Sequence, residues 1–443
     1  MANQRESLSP FGSFLFPHIF RSFRMAVQPS KLAVAFTALT ILCITGWLMD
    51  LSQTVVVSNQ RLVSLPGGIA GQWPRDENTE LDAYLRSEAE LKILRELPRT
   101  ETAKTGVFST LWRFADAELL KATGSLVTLD IRQFSYSVSN GLARCGRAVV
   151  WAFRYHTAYS IVLFAVALAV MSMAGGAISR MAALEFARDR RMRICEAFGF
   201  ARRRFPSFIA APIAPLIIAF LLGLPIIVLG ALGNIPYIGE LLTGLLLPFA
   251  LVLAPFIAVL VLGAAAGVGL LFPAIAYEDS DFFDAIGRCV SCVYAKPWRL
   301  GFYTLLATVY GAVCYLFVRF FTFALLAITY GFLSLGLSDA KLEAIWPQPG
   351  FFSLLGAPAA ATTTWSLGVA AFLIRIWTLG VAGLMVSFLV SFYFNVSAVI
   401  YALMRNRVDG TELDEIYEPA EEGPAAEQTV DIAPETATGT TSE

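Results

Sequence analysis

Groups able to do chemistry at neutral pH are scarce in this chain. The 443 residues hold only two histidines, His18 in an N-terminal arm and His156 at the edge of an apolar run. A histidine-dependent triad or a histidine metal cluster spanning the core is therefore disfavoured. Cys289-x-x-Cys292 has the spacing of a redox or zinc pair. Without a second pair or a nearby histidine, a zinc site there lacks half its ligands, and two small residues on a membrane-facing helix are the expected reading. The sequence has no phosphate-cradling glycine loop and no nucleophile elbow. Its apolar runs carry no Asp, Glu or Lys away from their edges, so the groups that hold a coupling ion at mid-membrane are missing. No catalytic, cofactor-binding or metal site is expected, and the chain is read as a non-enzyme.

Arginines remain. Arg319 and Arg375 each interrupt a long apolar run. With Gly301 at the inner face, Arg319 stands about 27 Å further along a helix, near the outer edge of the hydrocarbon, and Arg375 falls at or beyond the same boundary. Each is expected to snorkel to the outer headgroups. A sharper expectation is that the two share an outer-leaflet anion site, for instance for a lipid phosphate. A denser group, from Arg180 to Arg204, includes Arg202, Arg203 and Arg204. Each arginine beside an anionic leaflet adds about 1 kcal/mol of attraction. This stretch is expected to bind acidic lipid, with Phe198, Phe200 and Phe205 inserting among the lipids. The competing expectation is that the acidic C-terminal tail folds back and neutralises it.

These groups are positioned by apolar segments. The chain is 56% hydrophobic and 15% charged, with a mean hydropathy of +0.63, against about 25% charged in an ordinary soluble domain. An all-α polytopic transmembrane bundle of about six spans follows. The first span is 32–51, read as an uncleaved anchor after a cytoplasmic arm, 1–31. The bundle proper covers 157–404, with spans at 157–179 and 208–231 and within three overlong segments, 241–276, 301–337 and 365–404. Each overlong segment is assigned one span, its surplus forming interfacial or re-entrant helix, with bends expected at Pro248, Pro255 and Pro273. Amphipathic cytoplasmic elbows occupy 180–207 and 278–300. Basic residues flank every short loop assigned to the inside, whereas Gly233 to Glu240 has none. Both termini are thus expected in the cytoplasm of a bacterial inner membrane.

Residues 52–156 are read as an extracytoplasmic, mainly helical insertion. Leu81, Leu85, Ala89, Ile93 and Leu97 form a stripe at i+4 spacing, capped by Asn78 or Thr79 and stopped by Pro98. A second helix from about Ile131 is expected to run straight into the next span. Phe11, Leu15, Ile19 and Phe23 suit a short helix in the headgroup layer. Residues 405–443 are read as a disordered acidic tail, and no nucleic-acid partner is expected from a net charge of −1.

Glu196-Ala197-Phe198-Gly199 and Asp284-Ala285-Ile286-Gly287 recur 88 positions apart, each followed by a proline beside an aromatic and then by a span. This fits a parallel repeat of helix, basic elbow, helix. The second elbow reads as a surface helix lying flat beneath the bundle. Asp279, Ser280 and Asp281 are its cap, Phe282, Ile286, Val290 and Val293 its apolar stripe, and Asp284 with Arg288 an i,i+4 pair. Gly263-x-x-x-Gly267 permits close helix approach. Here Glu278, Asp284-Ala285-Ile286, Arg288-Cys289 and Trp298-Arg299 resemble the elbow of the bacterial membrane domain of glycerophosphodiester phosphodiesterases and related polytopic families. The resemblance implies a helical bundle with repeated amphipathic elbows. It carries over no catalytic residue, since the soluble phosphodiesterase barrel has no counterpart here. The expected function is a scaffold or accessory protein contacting lipid, or a protein partner through the acidic tail or extracytoplasmic region. The alternative is a channel or permease without ion coupling.

Overall fold

The computed structural model describes residues 16–52, 54–58, 78–96, 102–127, 130–351, 353–354 and 364–417. After a 3-10 turn at Phe16–Phe20 come α1 (Arg21–Ala26), α2 (Pro29–Asp50), β1 (Thr54–Ser58), β2 (Asn78–Thr79), α3 (Glu80–Arg86), α4 (Glu88–Glu96), β3 (Thr102–Gly106), α5 (Val107–Val127) and α6 (Ile131–Tyr155). The remainder is α7 (Thr157–Arg188), α8 (Ile194–Arg203), α9 (Phe205–Leu232), α10 (Ile238–Glu278), α11 (Phe282–Ala295), α12 (Pro297–Gly336), α13 (Asp339–Ile345) and α14 (Trp365–Val408). Six of these, α2, α7, α9, α10, α12 and α14, are long and apolar enough to cross a membrane. The chain is an all-α, multi-pass membrane bundle.

Between helices in lipid there is no hydrophobic driving force, so close packing and polar bonds must hold them together. The inner helices α7, α10 and α14 touch one another pairwise, α2 lies against α7 and α14, α9 against α7 and α10, and α12 against α14. Small residues let the backbones close. A Cβ on Gly175 would come within 2.4 Å of the Phe394 ring, and one on Gly176 within 2.7 Å of Phe208. Buried residues crowd the end that carries the elbows, from Ser172 to Phe186 in α7, Gly263 to Tyr277 in α10 and Met385 to Arg405 in α14. Toward the far end the α9–α10 hairpin leaves the bundle, exposing Leu216, Phe220, Leu241, Leu245, Phe256 and Leu262. Lipid covers such surfaces.

Several expectations need correction. The overlong segments hold no re-entrant pieces: α10, α12 and α14 are continuous helices of 41, 40 and 44 residues. At 1.5 Å per residue they run about 60 Å, so the excess over a 30 Å hydrocarbon core is met by tilt and by extension beyond the membrane. The elbow expected from residue 180 starts later, because α7 continues to Arg188. The second elbow, α11, does not lie flat. It turns back along α10, where Gly263 faces Val290 and Tyr294, Gly267 faces Val293 and Cys289, and the Tyr294 hydroxyl donates to the Val259 carbonyl (2.7 Å). Its expected i,i+4 pair is present, Arg288 Nε donating to Asp284 (3.1 Å). The expected side-chain cap is not: Asp281 holds the N-cap position without such a bond.

At the far end, the insertion is not purely helical. Strands β2-β1-β3 form a small antiparallel sheet that pairs Val57 with Thr79 and Val55 with Thr105. The stripe from Leu81 splits at Ser87 into α3 and α4, with Ala89 exposed and Leu91 buried against Ala83. Thr79 is the cap, accepting from Asp82 N (3.2 Å), while Leu97 and Pro98 lie outside the described residues. The helix from Ile131 is separated from α7 by a break at His156 (φ −132°, ψ 50°). Asp50, at the end of α2, ties the insertion to the spans. Its carboxylate accepts from Phe108 N (2.8 Å), Ser109 N (3.0 Å), Ser109 Oγ (2.6 Å) and the Tyr159 hydroxyl (2.6 Å). Gly106 must be glycine for this approach, since a Cβ there would fall 1.9 Å from Asp50 Cγ. Phe11 and Leu15 of the N-terminal stripe lie outside the described residues. Ile19 is buried and Phe23 packs on the core.

Candidate functional site

The polar groups of the bundle converge where the three inner helices end. Helices α7 and α10 both stop in a left-handed aspartate, Asp189 (φ 50°) and Asp279 (φ 49°), and each aspartate meets an arginine from another unit. Arg21 of α1 pairs with Asp189 (2.7 Å), and Arg204, which precedes α9, pairs with Asp279 (2.6 Å) and Asp281 (3.0 Å). Lys296, preceding α12, donates to the Arg407 carbonyl at the end of α14. Cations placed on helix C-terminal carbonyls also offset the negative end of the helix dipole.

Beneath this ring lie two buried clusters. The Lys31 amine donates to Glu185 Oε2 (2.7 Å) and Asn395 Oδ1 (2.8 Å), and Gln28 donates to the other Glu185 oxygen. Asn395 in turn donates to the Ser391 carbonyl (2.7 Å), and Ser391 Oγ to the Ala26 carbonyl (2.9 Å). The first turn of α2 is thereby bonded to both α7 and α14. In the second cluster Glu278 accepts from the Tyr401 hydroxyl (2.5 Å) and pairs with Arg288 (2.5 Å) and Arg405 (3.8 Å). Arg180, buried with its guanidinium 4.7 Å from the Phe200 ring, donates to the Ala276 carbonyl (2.6 Å).

The chain after α14 completes this end. Residues 409–417, read from the sequence as the start of a disordered tail, fold back as a strap. Tyr417 N donates to the Tyr277 carbonyl (3.0 Å), Arg180 to the Tyr417 carbonyl (2.9 Å), Arg188 to the Ile416 carbonyl (3.3 Å) and Arg405 to the Glu415 carbonyl (2.9 Å). Ile416 is buried beneath it. A cleft between strap and α7 is lined by Ala187, Arg188, Glu412, Asp414 and Glu415. Residues 418–443 lie outside the described residues.

Against this geometry the arginines singled out from the sequence separate. Arg202 is exposed on α8. Arg203 is exposed but paired with Asp279 (3.2 Å), and Arg204 is committed to Asp279 and Asp281. Arg319 does not snorkel to the surface. It is 3% exposed and donates to the Phe351 carbonyl (3.1 Å) and the Tyr315 hydroxyl (3.2 Å), whereas Arg375 sits on an exposed helix face. Phe200 does not insert into lipid either, being buried against Phe208 and Arg180. Burial raises the Cys289 thiol, and burial followed by the nearby Asp409 and Glu278 pushes Cys292 up to about 11. Both stay protonated and unreactive at neutral pH.

No family model, curated protein or solved structure matches the chain. The residues that sequence reasoning missed are Lys31, Glu185, Asn395 and Arg405, while Glu278 entered only through the elbow resemblance. For Glu185 a signal existed: the apolar run does not stop at Arg180 but resumes through Met181-Ala182-Ala183-Leu184 and Phe186-Ala187. Two charges spaced within such a run mark a helix continuing into protein contacts.

Among the described residues, one exposed cationic face at this end is the outward side of α8 with the loop before it. Ala197, Phe200 and Ala201 are buried, while Arg191, Arg193 and Arg202 are exposed. This is a cationic face with a fixed apolar back.

Proposed function

We propose that the chain is a non-enzymatic accessory or scaffold protein of the bacterial inner membrane, and that its elbow end faces the cytoplasm and holds anionic lipid headgroups. The observation carrying this reading is the division of labour among arginines. Arg180, Arg204 and Arg405 are spent on helix ends, Glu278 and the strap, but Arg191, Arg193 and Arg202 point outward beside the spans. The orientation follows from the basic elbows and the Gly233–Glu240 connection, which has no Lys or Arg.

Three arginines at about 1 kcal/mol each amount to roughly a hundredfold preference for an anionic over a zwitterionic leaflet. Purified protein in mixed nanodiscs should enrich anionic lipid around itself, and Arg191, Arg193 and Arg202 replaced together by glutamine should abolish the enrichment. Enrichment that survives the triple replacement would sink the lipid reading. A second reading, a channel or permease without ion coupling, is favoured by one observation, the departure of the α9–α10 hairpin from the bundle toward the far end. Solute flux into reconstituted liposomes above that of empty vesicles would decide for it and against the scaffold.

A further inference from the structure

The strap ends in a definite place. At its last described residue, Tyr417, the backbone is held from both sides, its N–H by Tyr277 and its carbonyl by Arg180, while Arg188 holds the carbonyl before it. Arg188 is the last residue of α7, and Arg190, Arg191 and Arg193 follow within five residues. Tyr417, bonded to the arginine that lies over Phe200 of α8, is therefore beside the α8 elbow. The next 26 residues contain seven carboxylates, Glu418, Glu421, Glu422, Glu427, Asp431, Glu435 and Glu443, and no Lys or Arg.

Reach is no obstacle. Four residues beyond Tyr417 span at most about 13 Å and ten at most about 33 Å, while the loop from Arg188 to Arg193 spans at most about 17 Å. Tethering raises the local concentration of these carboxylates to roughly millimolar. Attraction between a few exposed charge pairs is weak in free solution, at most about 1 kcal/mol each; at such a concentration three of them give partial occupancy.

We propose that the acidic segment 418–435 is an intramolecular ligand of the α8 elbow, seated on Arg191, Arg193 and Arg202 and competing there with anionic lipid headgroups. This rests on the lipid reading above for the competitor but not for the contact itself. The strap is the fixed tether, and the acidic segment supplies the counter-charge. Lipid binding at the elbow then depends on ionic strength twice, through the lipid and through the tail.

Two measurements test this on the full-length protein in detergent and in nanodiscs. First, Glu421→Cys is introduced with native Cys195, which is exposed on α8, as its partner, and a short bis-maleimide is added. Cross-linking at low salt, lost in 0.5 M salt and absent with Asn234→Cys in place of Glu421→Cys, is expected. Second, a chain ending at Tyr417, which keeps the strap, is compared with the full chain for anionic lipid enrichment. A gain of up to about twofold is expected, reversed by adding the 418–443 peptide at millimolar concentration. Equal enrichment in both chains together with no cross-link overturns the proposal. If enrichment is equal but falls in both chains on glutamine replacement of Arg191, Arg193 and Arg202, the lipid reading stands and the tail proposal falls. If the cross-link forms while the replacement leaves enrichment untouched, the tail contact stands and the lipid competitor falls.

Discussion

Replacing Lys31 with methionine keeps most of the side-chain volume and removes the charge from a site where both partners are sealed. The Lys31 and Glu185 side chains are 1% and 8% exposed, and 2.7 Å apart. Solvent screening that makes surface pairs nearly worthless does not apply here. Lys31→Met leaves the Glu185 carboxylate buried with only Gln28 as donor, and deprives Asn395 Oδ1 of its amine. Breaking a buried pair by removing one partner costs about 3–5 kcal/mol, and the lost Asn395 bond adds about 1 kcal/mol. Glu185→Leu, which strands the ammonium instead, should cost a similar amount. The double variant Lys31→Met/Glu185→Leu has no stranded charge and should lose only about 1–3 kcal/mol, far less than the sum. Equilibrium unfolding in mixed SDS micelles, followed by helical circular dichroism, measures all corners of this cycle. A Lys31→Met protein within about 1 kcal/mol of the parent, or a double variant equal to the sum of the singles, would show that the pair does not hold α2 to α7 and α14.

Gly106→Ala should push the Asp50 carboxylate off Phe108 N and Ser109, costing the insertion about 3 kcal/mol, seen as faster hydrogen exchange in α5 with unchanged exchange in α7. Of the cysteines, Cys195 should react with maleimide in native protein while Cys289 and Cys292 wait for denaturation, since a thiol at about 11 is only about one part in three thousand thiolate at pH 7.5. Burial first, then Arg21, lowers the His18 pKa below 6.5. The neutral ring is the docked form, so docking of the 3-10 turn beside Phe186 is fully stable above pH 6.5 and weakens as pH falls below it. Trypsin cleavage at Arg21 and Arg24 should accelerate between pH 6.5 and 5.5 (held after neutralisation as a control), and His18→Phe should erase the acceleration.

The six spans were legible because a run of about 20 apolar residues in lipid has one stable backbone form. Their ends were not. Arg180 reads as a boundary because an unsatisfied guanidinium cannot sit in a span, yet it sits there because the Ala276 and Tyr417 carbonyls, 96 and 237 positions away, receive it. Arg319 is the same case, received by Phe351 and Tyr315. A composition window sees the charge and not the acceptor. The small sheet was missed for a related reason: Thr54-Val55-Val56-Val57-Ser58 has β-branched strand character, but its partner β3 begins 44 positions beyond the end of β1, so no local turn announces it.

The repeat of helix, basic elbow, helix has a physical basis that the four-residue motif only touches. A helix that ends inside a bundle leaves its last carbonyls without partners, and each must find a donor. At the end of α7, Arg21 of α1 meets the Asp189 carboxylate, whereas the two donors to carbonyls follow the elbows, Arg204 on the Asp279 carbonyl ending α10 and Lys296 on the Arg407 carbonyl ending α14. The first of these contacts uses the α1–α2 unit, which the sequence motif did not include. The motif residues Ala197 and Ala285 are both fully buried, which sets the elbow's distance from the bundle. The basic residue that follows each elbow then does the bonding. Arginines were counted from sequence as an excess of surface charge; in the folded chain Arg204 is committed to the end of α10 and Arg180 is buried, while Arg191, Arg193 and Arg202 stay exposed.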